Sequence, residues 1–182
     1  MVVSFNIEHI FKYPVQQVAN THLTKYPTDK EKVVLKVETL EHSVGEVTIK
    51  YWNQGIDYRR RWAFCQNVLP GLMKKVDVLN EKAIILEEES WMNLRSGDLL
   101  VKSRNITWAK YATMNEQTKF APAADNANWT KFEQSGYIEV KNLGSLGALL
   151  EIFACKFLNK GALKALRVME ELLNEKSHSA ES

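Results

Sequence analysis

The sequence predicts an α+β domain in which a curved antiparallel sheet of about seven strands is covered by helices on one side. Several segments alternate apolar and polar residues with a period of two, as half-buried strands do. The connections between these segments are short, which favours antiparallel pairing. One long C-terminal segment repeats its apolar residues every three or four positions, as a helix does.

The chain opens with a strand and a short helix. Apolar residues alternate from Val3 to Phe11, and His9 falls on the apolar face. A packed, neutral core histidine is favoured there over a ligand or a base, because no acidic or cysteine partner is nearby in sequence. Pro14 suits a first helical turn. The amphipathic segment from Val15 to Tyr26 predicts a helix that ends before Pro27.

The next part of the chain predicts further strands. Val33 to Leu40 has alternating apolar residues, and Val47 to Tyr51 fits either another strand or the arm of a hairpin. Asn53-Gln54-Gly55 reads as a turn. Tyr58 to Val68 predicts a strand that ends at Pro70-Gly71.

Two charged triplets invite a functional interpretation. Arg59 to Arg61 suggests a phosphate site, and Glu87 to Glu89 suggests a catalytic cluster. Successive strand residues point to opposite faces of a sheet, so neither triplet converges on one point. Solvated sheet faces are therefore the favoured interpretation of both.

The remaining strands follow a hairpin pattern. Ala83 to Met92 and Leu99 to Tyr111 predict strands joined by a turn at Arg95 to Asp98. Lys119 to Thr130 reads as a loop because it contains alanines, Pro122 and asparagines. Lys131 to Lys141 predicts a last strand.

The segment from Leu143 to Glu175 predicts a long helix with one apolar side. Gly161 interrupts it and predicts a bend or a close approach. Ser177 to Ser182 predicts a polar, frayed tail. The stripe consists of Leu146, Leu149, Leu150, Phe153, Phe157, Leu158, Leu163, Leu166, Met169, Leu172 and Leu173.

Composition limits the function classes. The chain has 182 residues, 45% of them hydrophobic, and a net charge of +2, which is too small to indicate nucleic-acid binding. Cys65 and Cys155 have no metal-binding spacing and indicate free thiols. We expect a soluble protein, because no membrane span or secretory signal is recognisable. We expect neither an enzyme nor a cofactor, because no nucleophile with its base, metal motif or glycine-rich phosphate loop is present.

Pro70 to Val76 forms a short apolar segment that contains Leu72, Met73 and Val76 and is interrupted by two lysines. It is too short to form a stable helix alone, so we expect a mobile lid or a contact with a partner. A sheet and a helix that enclose an apolar cavity behind such a lid would have the geometry of a carrier.

Four motifs, in their order and spacing, carry a family resemblance. They are Lys25-Tyr26-Pro27, Cys65 to Pro70, Leu86 to Trp91 and Asn128-Trp129-Thr130. With the first strand and the last helix they resemble the PRELI domain over about residues 1–175, which leaves residues 176–182 as a polar tail. The segment from Gly45 to Gly55 looks longer than in similar family members.

The resemblance implies a cup-shaped sheet that carries phospholipids, mainly phosphatidic acid and in some members phosphatidylserine, between the mitochondrial outer and inner membranes. It implies a small helical twin-CX9C partner of the intermembrane space and transient contact with anionic membrane surfaces. It also implies location in the intermembrane space, with a possible cytosolic pool. A regulatory or interaction protein that keeps the fold without moving lipid is the alternative.

The resemblance also suggests site residues. Lys25 and Lys164 match basic headgroup positions, and Lys160 and Lys32 are neighbours that could contribute; each could instead be a solubilising surface lysine. Leu72, Met73 and Val76 would form the membrane-contacting lid. The sequence departs from the family's phosphatidic-acid carriers at Phe64, Cys65 and Val68, where they have lysines, and at Gly161, where they have asparagine.

Overall fold

A computed structural model describes residues 2–49, 52–141 and 145–180. Within these ranges one antiparallel sheet has the strand order β1-β7-β6-β5-β4-β3-β2. The strands are β1 (Val2–Phe11), β2 (Val34–Ile49), β3 (Trp52–Gln66), β4 (Ala83–Asn93), β5 (Leu99–Asn105), β6 (Ala112–Pro122) and β7 (Thr130–Val140). The helices are α1 (Val15–Thr24) and α2 (Ser145–Ala180). The predicted fold class is confirmed.

The first apolar cluster joins α1 and the end of α2 to the inner face of the sheet. Val18 of α1 is fully buried, as are Phe11 of β1 and Leu173 of α2. Phe120 and Phe132 pack edge to face between them, with ring centroids 5.2 Å apart. The inner face of β6 and β7 is therefore identified by these two side chains.

The second apolar cluster lies under the lid, Pro70 to Val76. Met73 of the lid and its flanking Leu69 and Leu79 are buried with Ile138 of β7 and Leu150 of α2. One apolar cluster thus lies at the end of the sheet next to α1, and the other lies at the end under the lid. No helix in the described ranges is long and apolar enough to cross a bilayer.

The long helix is confirmed, with three differences from its prediction. It continues to Ala180, so residues 177–180 are helical rather than frayed. Leu163, predicted in the buried stripe, is 53% exposed, whereas its neighbour Ala162 is buried. The close approach predicted at Gly161 is absent, since an added Cβ would meet nothing within 4 Å. Residues 142–144 and several stripe side chains (Leu146, Leu149, Phe157 and Leu158), together with Cys155, lie outside the description.

The predicted turn at Asn53-Gln54-Gly55 is wrong. Ile49 pairs with Trp52, so these residues belong to β3, and Val47 to Ile49 form the arm of a long hairpin. Lys50 and Tyr51 lie outside the described residues. Turn-forming residues are only local preferences, and the cross-strand pairing of two long strands overrides them.

The sequence also missed β6. The predicted strand Leu99 to Tyr111 ends at Asn105, whose side chain donates to Ala112 O and accepts from Met114 N, both at 2.7 Å. These bonds stabilise a turn in which Trp108 has a φ of 65°. β6 includes Lys119 to Pro122, the first part of the predicted loop. Pro122 is compatible with the strand because it is the last residue, where a missing N–H is tolerated.

Gly136 of β7 tests how tightly the inner face is packed. An added Cβ would lie 2.6 Å from Phe5 Cε1 and 2.8 Å from the Asn115 carbonyl oxygen. We expect Gly136→Ala to lower the free energy of unfolding by roughly 1–3 kcal/mol through overpacking. Gly161→Ala is the matched control and should raise it by about 1 kcal/mol, since Gly161 is helical and unobstructed. Denaturant unfolding of both variants measures the difference, and equal effects would contradict it.

Candidate functional site

A row of side chains crosses the inner face of the sheet at one register. Arg61 of β3 pairs with Glu88 of β4, which is followed across the sheet by Ser103, Glu116 and Gly136. Glu116 lies four residues from Phe120 along β6, so both side chains point to the same face. The row therefore places two acids and one arginine inside the molecule. For Arg61 and Glu88 this corrects the prediction of solvated faces.

Arg61 and Glu88 form an ion pair. The Nε atom of Arg61 donates to Glu88 Oε1 at 3.1 Å, and its Nη2 atom donates to the same oxygen. The side chains are only 12% and 23% exposed. Nη1 of Arg61 also donates to the carbonyl oxygen of Leu23, which fixes the end of α1 against β3.

Lys25 follows α1 directly and is positioned by this contact. Its Nζ donates to His22 Nδ1 at 2.8 Å and lies 5.1 Å from the centroid of the Tyr26 ring. Burial lowers the pKa of Lys25 to about 8, although the charges of Glu88 and Glu116 oppose this change. At neutral pH Lys25 is thus mostly protonated and close to titrating.

His22 has one ring nitrogen without a partner among the described residues. Burial, followed by the charges of Lys25 and Arg61, holds the pKa of His22 well below its usual value, so the ring is neutral. Since an ammonium group is only a donor, Nδ1 accepts and the proton is on Nε2. That buried N–H has no hydrogen-bond acceptor and lies 4.0 Å from Glu88 Oε2.

Glu116 completes the group. Burial raises the pKa of Glu116 to about 7, the charge of Lys25 lowers it, and a hydrogen bond to Gln134 also favours the charged form. An added Cβ on Gly136 would lie 3.0 Å from Glu116 Cγ, so the glycine leaves the space for this side chain. We call His22, Lys25, Arg61, Glu88 and Glu116 the interior polar cluster.

The interior polar cluster lies between the two apolar clusters. Along β6, Glu116 is between Phe120, which packs with α1, and Met114, which packs against the cluster under the lid. Two cations and an unpartnered N–H donor thus meet inside an otherwise apolar interior. This arrangement can bind a phosphate or carboxylate group while apolar parts of the same ligand remain among apolar side chains.

The other predicted headgroup lysines lie elsewhere. Lys164 pairs with Glu31 at 2.7 Å and is 53% exposed. Lys160 and Lys164 line a surface groove of about 440 Å³ on α2, together with Lys30 and Arg167. Lys32 is exposed. The structure therefore brings two of the four lysines together, but on the surface of α2 and apart from the contacts of Lys25.

The three predicted lid residues differ in exposure. Leu72 is 66% exposed, Met73 is 3% exposed, and Val76 packs partly buried against the cluster beneath. The lid is thus closed in this conformation. Leu72 alone of the three faces solvent, and contact between Met73 and a membrane would require the lid to open.

His9 has an acidic partner that the sequence did not indicate. Its Nε2 lies 2.7 Å from Glu170 Oε1 on α2, 161 residues away, and its ring packs against Phe11 with centroids 4.6 Å apart. It therefore ties α2 to β1 instead of being a partnerless core residue. Within the described residues, no three His, Cys, Asp or Glu side chains form a group that could hold a metal ion.

A second cavity, of about 620 Å³, lies on the outer face of the sheet. Three of its charged side chains have partners: Arg104 binds Glu87 at 2.6 Å, and Glu89 accepts from Tyr58 at 2.8 Å. Lys102, which also lines it, lies 5.8 Å from the centroid of the Trp91 ring.

Sequence reasoning missed four members of the interior polar cluster. Arg61 and Glu88 were assigned to solvated faces, because alternation separates the two faces of a strand without telling which one is inside. Their directly opposed positions in neighbouring strands could have indicated a cross-strand pair. Nothing local marked His22 or Glu116.

Comparisons with known proteins bear on the family and the fold. The model of the PRELI-like family matches residues 16–179. The UPS-like protein C36.10 of Schizosaccharomyces pombe is 25% identical over 169 residues, which are 92% of this chain and 86% of that protein. The CRAL-TRIO domain-containing protein T23G5.2 of Caenorhabditis elegans is 27% identical over 93% of this chain, which spans only 23% of that protein.

Solved structures share the fold at low identity. An aromatase/cyclase, Zhui, from Streptomyces sp. R1128 has a TM-score of 0.67 and 10% identity, over 99% of this chain and 98% of its own. A START superfamily protein from Mycobacterium smegmatis has a TM-score of 0.54 and 7% identity, over 96% and 97%. These likenesses show the START-like arrangement of a curved sheet around a long helix.

Neighbouring arginines on opposite faces of β3 provide a test of the ion pair. Arg61→Met should lower the free energy of unfolding by roughly 3 kcal/mol, because it leaves the partly buried Glu88 unpaired. Arg60→Met should cost less than about 1 kcal/mol, since its pair with Glu41 spans 3.5 Å with both side chains well exposed. Denaturant unfolding measures both. A larger loss for Arg60→Met would show that the faces are assigned wrongly.

The pKa of Glu116 predicts a pH dependence of stability. Below about pH 4.5 its carboxyl is protonated in both states; between that value and about 7 the unfolded chain loses the proton while the folded chain keeps it. The contribution of Glu116 to the free energy of unfolding therefore falls as pH rises from about 4.5, and the loss is complete above about pH 7. Glu116→Gln removes this loss.

Relative to wild type, Glu116→Gln should gain ~1–3 kcal/mol of unfolding free energy between about pH 5 and pH 8, less what Lys25 loses with its counter-charge. Urea titrations at the two pH values measure the change. Glu139→Gln, on the outer face, should show no such gain. A pH-independent difference for Glu116→Gln would contradict the raised pKa.

Proposed function

The chain belongs to the PRELI-like family, and we propose that it is a phospholipid-transfer protein that binds an anionic headgroup at the interior polar cluster. One observation carries the proposal. A protonated Lys25 and the unpartnered N–H of His22 meet inside an apolar interior, where an unused buried donor is costly. A phosphate oxygen of a bound lipid would accept from both.

The apolar clusters on either side suit the rest of such a ligand. An acyl chain leaves a bilayer only if the protein repays about 0.8 kcal/mol for each CH₂ group. Leu69, Met73 and Leu79 now bury their side chains against Ile138 and Leu150. When the lid opens, the same apolar surface becomes available to acyl chains.

The lid supplies the route into the interior. Leu72 is exposed at its tip and is flanked by Lys74 and Lys75, a combination suited to the surface of an anionic membrane. Insertion of Leu72 would favour the open lid at the membrane, and burial of Met73 would favour the closed lid in water. Binding and release thus need no covalent step.

We further propose the finer role that the resemblance implies. The lipid is phosphatidic acid or another anionic phospholipid, moved between the mitochondrial outer and inner membranes. The protein acts in the intermembrane space with a small helical twin-CX9C partner. The family membership supports this role. Lys25 is the one lysine of the interior polar cluster, whereas the family's phosphatidic-acid carriers have further lysines at the positions of Phe64, Cys65 and Val68, which argues for a less exclusive preference for phosphatidic acid.

Transfer of fluorescent phosphatidic acid and phosphatidylserine between liposomes, with the protein alone and co-expressed with such a partner, tests the proposal. Lys25→Met should reduce transfer roughly tenfold or more, because a charge-assisted hydrogen bond contributes about 1.5–3 kcal/mol. Lys119→Met is the matched control: Lys119 is exposed on the outer face of β6, and its variant should transfer at the wild-type rate.

The outcomes separate two classes of protein. Equal transfer by Lys25→Met and Lys119→Met would remove the headgroup from the interior polar cluster. No transfer by folded, partnered wild type would overturn the carrier function and favour an interaction protein that has kept the fold.

A further inference from the structure

The interior polar cluster contains more negative charge than an anion site needs. Arg61 is neutralised by Glu88 through two hydrogen bonds. Lys25 is then the cation left for a ligand, and Glu116 acts on it as a second carboxylate. When Glu116 is ionised, the four charges cancel.

Glu116 is held in this position by the sheet. Its stem lies beside Gly136, where any side chain would displace it, and Gln134 donates a hydrogen bond to its carboxyl. The charges that act on it come from Lys25 after α1 and Glu88 of β4; Arg61 faces Glu88 in the next strand, and His22 is neutral. Lys25 is the cation whose charge lowers the pKa of Glu116.

We propose that Glu116 determines which headgroups the interior accepts. Its carboxylate lies on the same inner face as Glu88, between the two apolar clusters, and adds a second negative charge to the interior polar cluster. It must therefore take up a proton before a purely anionic headgroup binds. This inference rests on the proposed function. It makes Glu116 a specificity-determining residue, since a headgroup that carries its own ammonium group can pair with the ionised carboxylate and needs no such proton.

Two consequences follow from the charge balance. A headgroup with a single negative charge and no cation would bind well at acidic pH, when Glu116 is neutral, and poorly when Glu116 is ionised, because two like charges would then share one buried cation. A zwitterionic headgroup would depend much less on pH. The raised pKa of Glu116, about 7, places the change between about pH 6 and pH 7.5, below the pKa of about 8 at which Lys25 loses its own charge.

The experiment compares two lipids whose phosphodiester group does not titrate in this range. Vesicles carry fluorescent phosphatidylglycerol, which is anionic, or fluorescent phosphatidylcholine, which has a fixed cation. The amount of each lipid extracted by the protein is measured at about pH 5.5 and about pH 7.5. The readout is the preference for phosphatidylglycerol over phosphatidylcholine.

Wild type and Glu116→Gln should have the same preference at about pH 5.5, because Glu116 is then protonated. At about pH 7.5, where Glu116 is mostly ionised and Lys25 is still mostly protonated, Glu116→Gln should prefer phosphatidylglycerol roughly fourfold more than wild type does. Glu139→Gln, an acid of the outer face of β7, should follow wild type at both pH values. Because the variant is isosteric and removes a buried charge, it should fold, and denaturant unfolding at each pH checks that it has.

Three results would overturn the inference while leaving the proposed function intact: an unchanged preference in Glu116→Gln at about pH 7.5, an equal change for both lipids, or the same shift in Glu139→Gln. An equal change for both lipids would identify a purely structural effect. If wild type extracts neither lipid at any pH, the proposed function fails and this inference fails with it.

Discussion

A single sheet with an apolar inner face needs a cover on that face, and the rest of the structure depends on how α2 provides it. The helix reaches from the cluster under the lid, through Leu150, to the cluster around α1, through Leu173. The hydrogen bond between His9 of β1 and Glu170 of α2 adds a polar contact between the sheet and the helix. Because the two apolar clusters are separated, the inner face between them is free to hold charges.

Charges in that space are costly unless each has a partner. Arg61 and Glu88 neutralise each other, and Arg61 also holds the end of α1, which positions Lys25. The site is therefore organised by backbone register across β3 and β4 and by one contact with α1. Its remaining unpaired donor, on His22, is what distinguishes a binding site from an ordinary buried ion pair.

Alternation and helical periodicity predicted the fold class because they reflect burial of one face, which is a local property of each segment. They failed where pairing between distant segments decides the outcome. Gly55 belongs to β3 because it pairs with Glu46 of β2. Pro122 ends β6 because its partner, Thr130, is the first residue of β7. Neither pairing can be read from the residues within the segment.

The sequence by itself determined the long helix and which residues share a face of β3 and of β4; Lys25 became a candidate headgroup residue only through the family resemblance. Only the tertiary structure decided that Arg61 and Glu88 face inward, since alternation is symmetric between the two sides of a sheet until a helix covers one. It likewise placed Lys164 on the surface of α2 and Glu116 beside Lys25. Spacing along a strand fixes which residues share a face, whereas packing between elements fixes which charges share an environment.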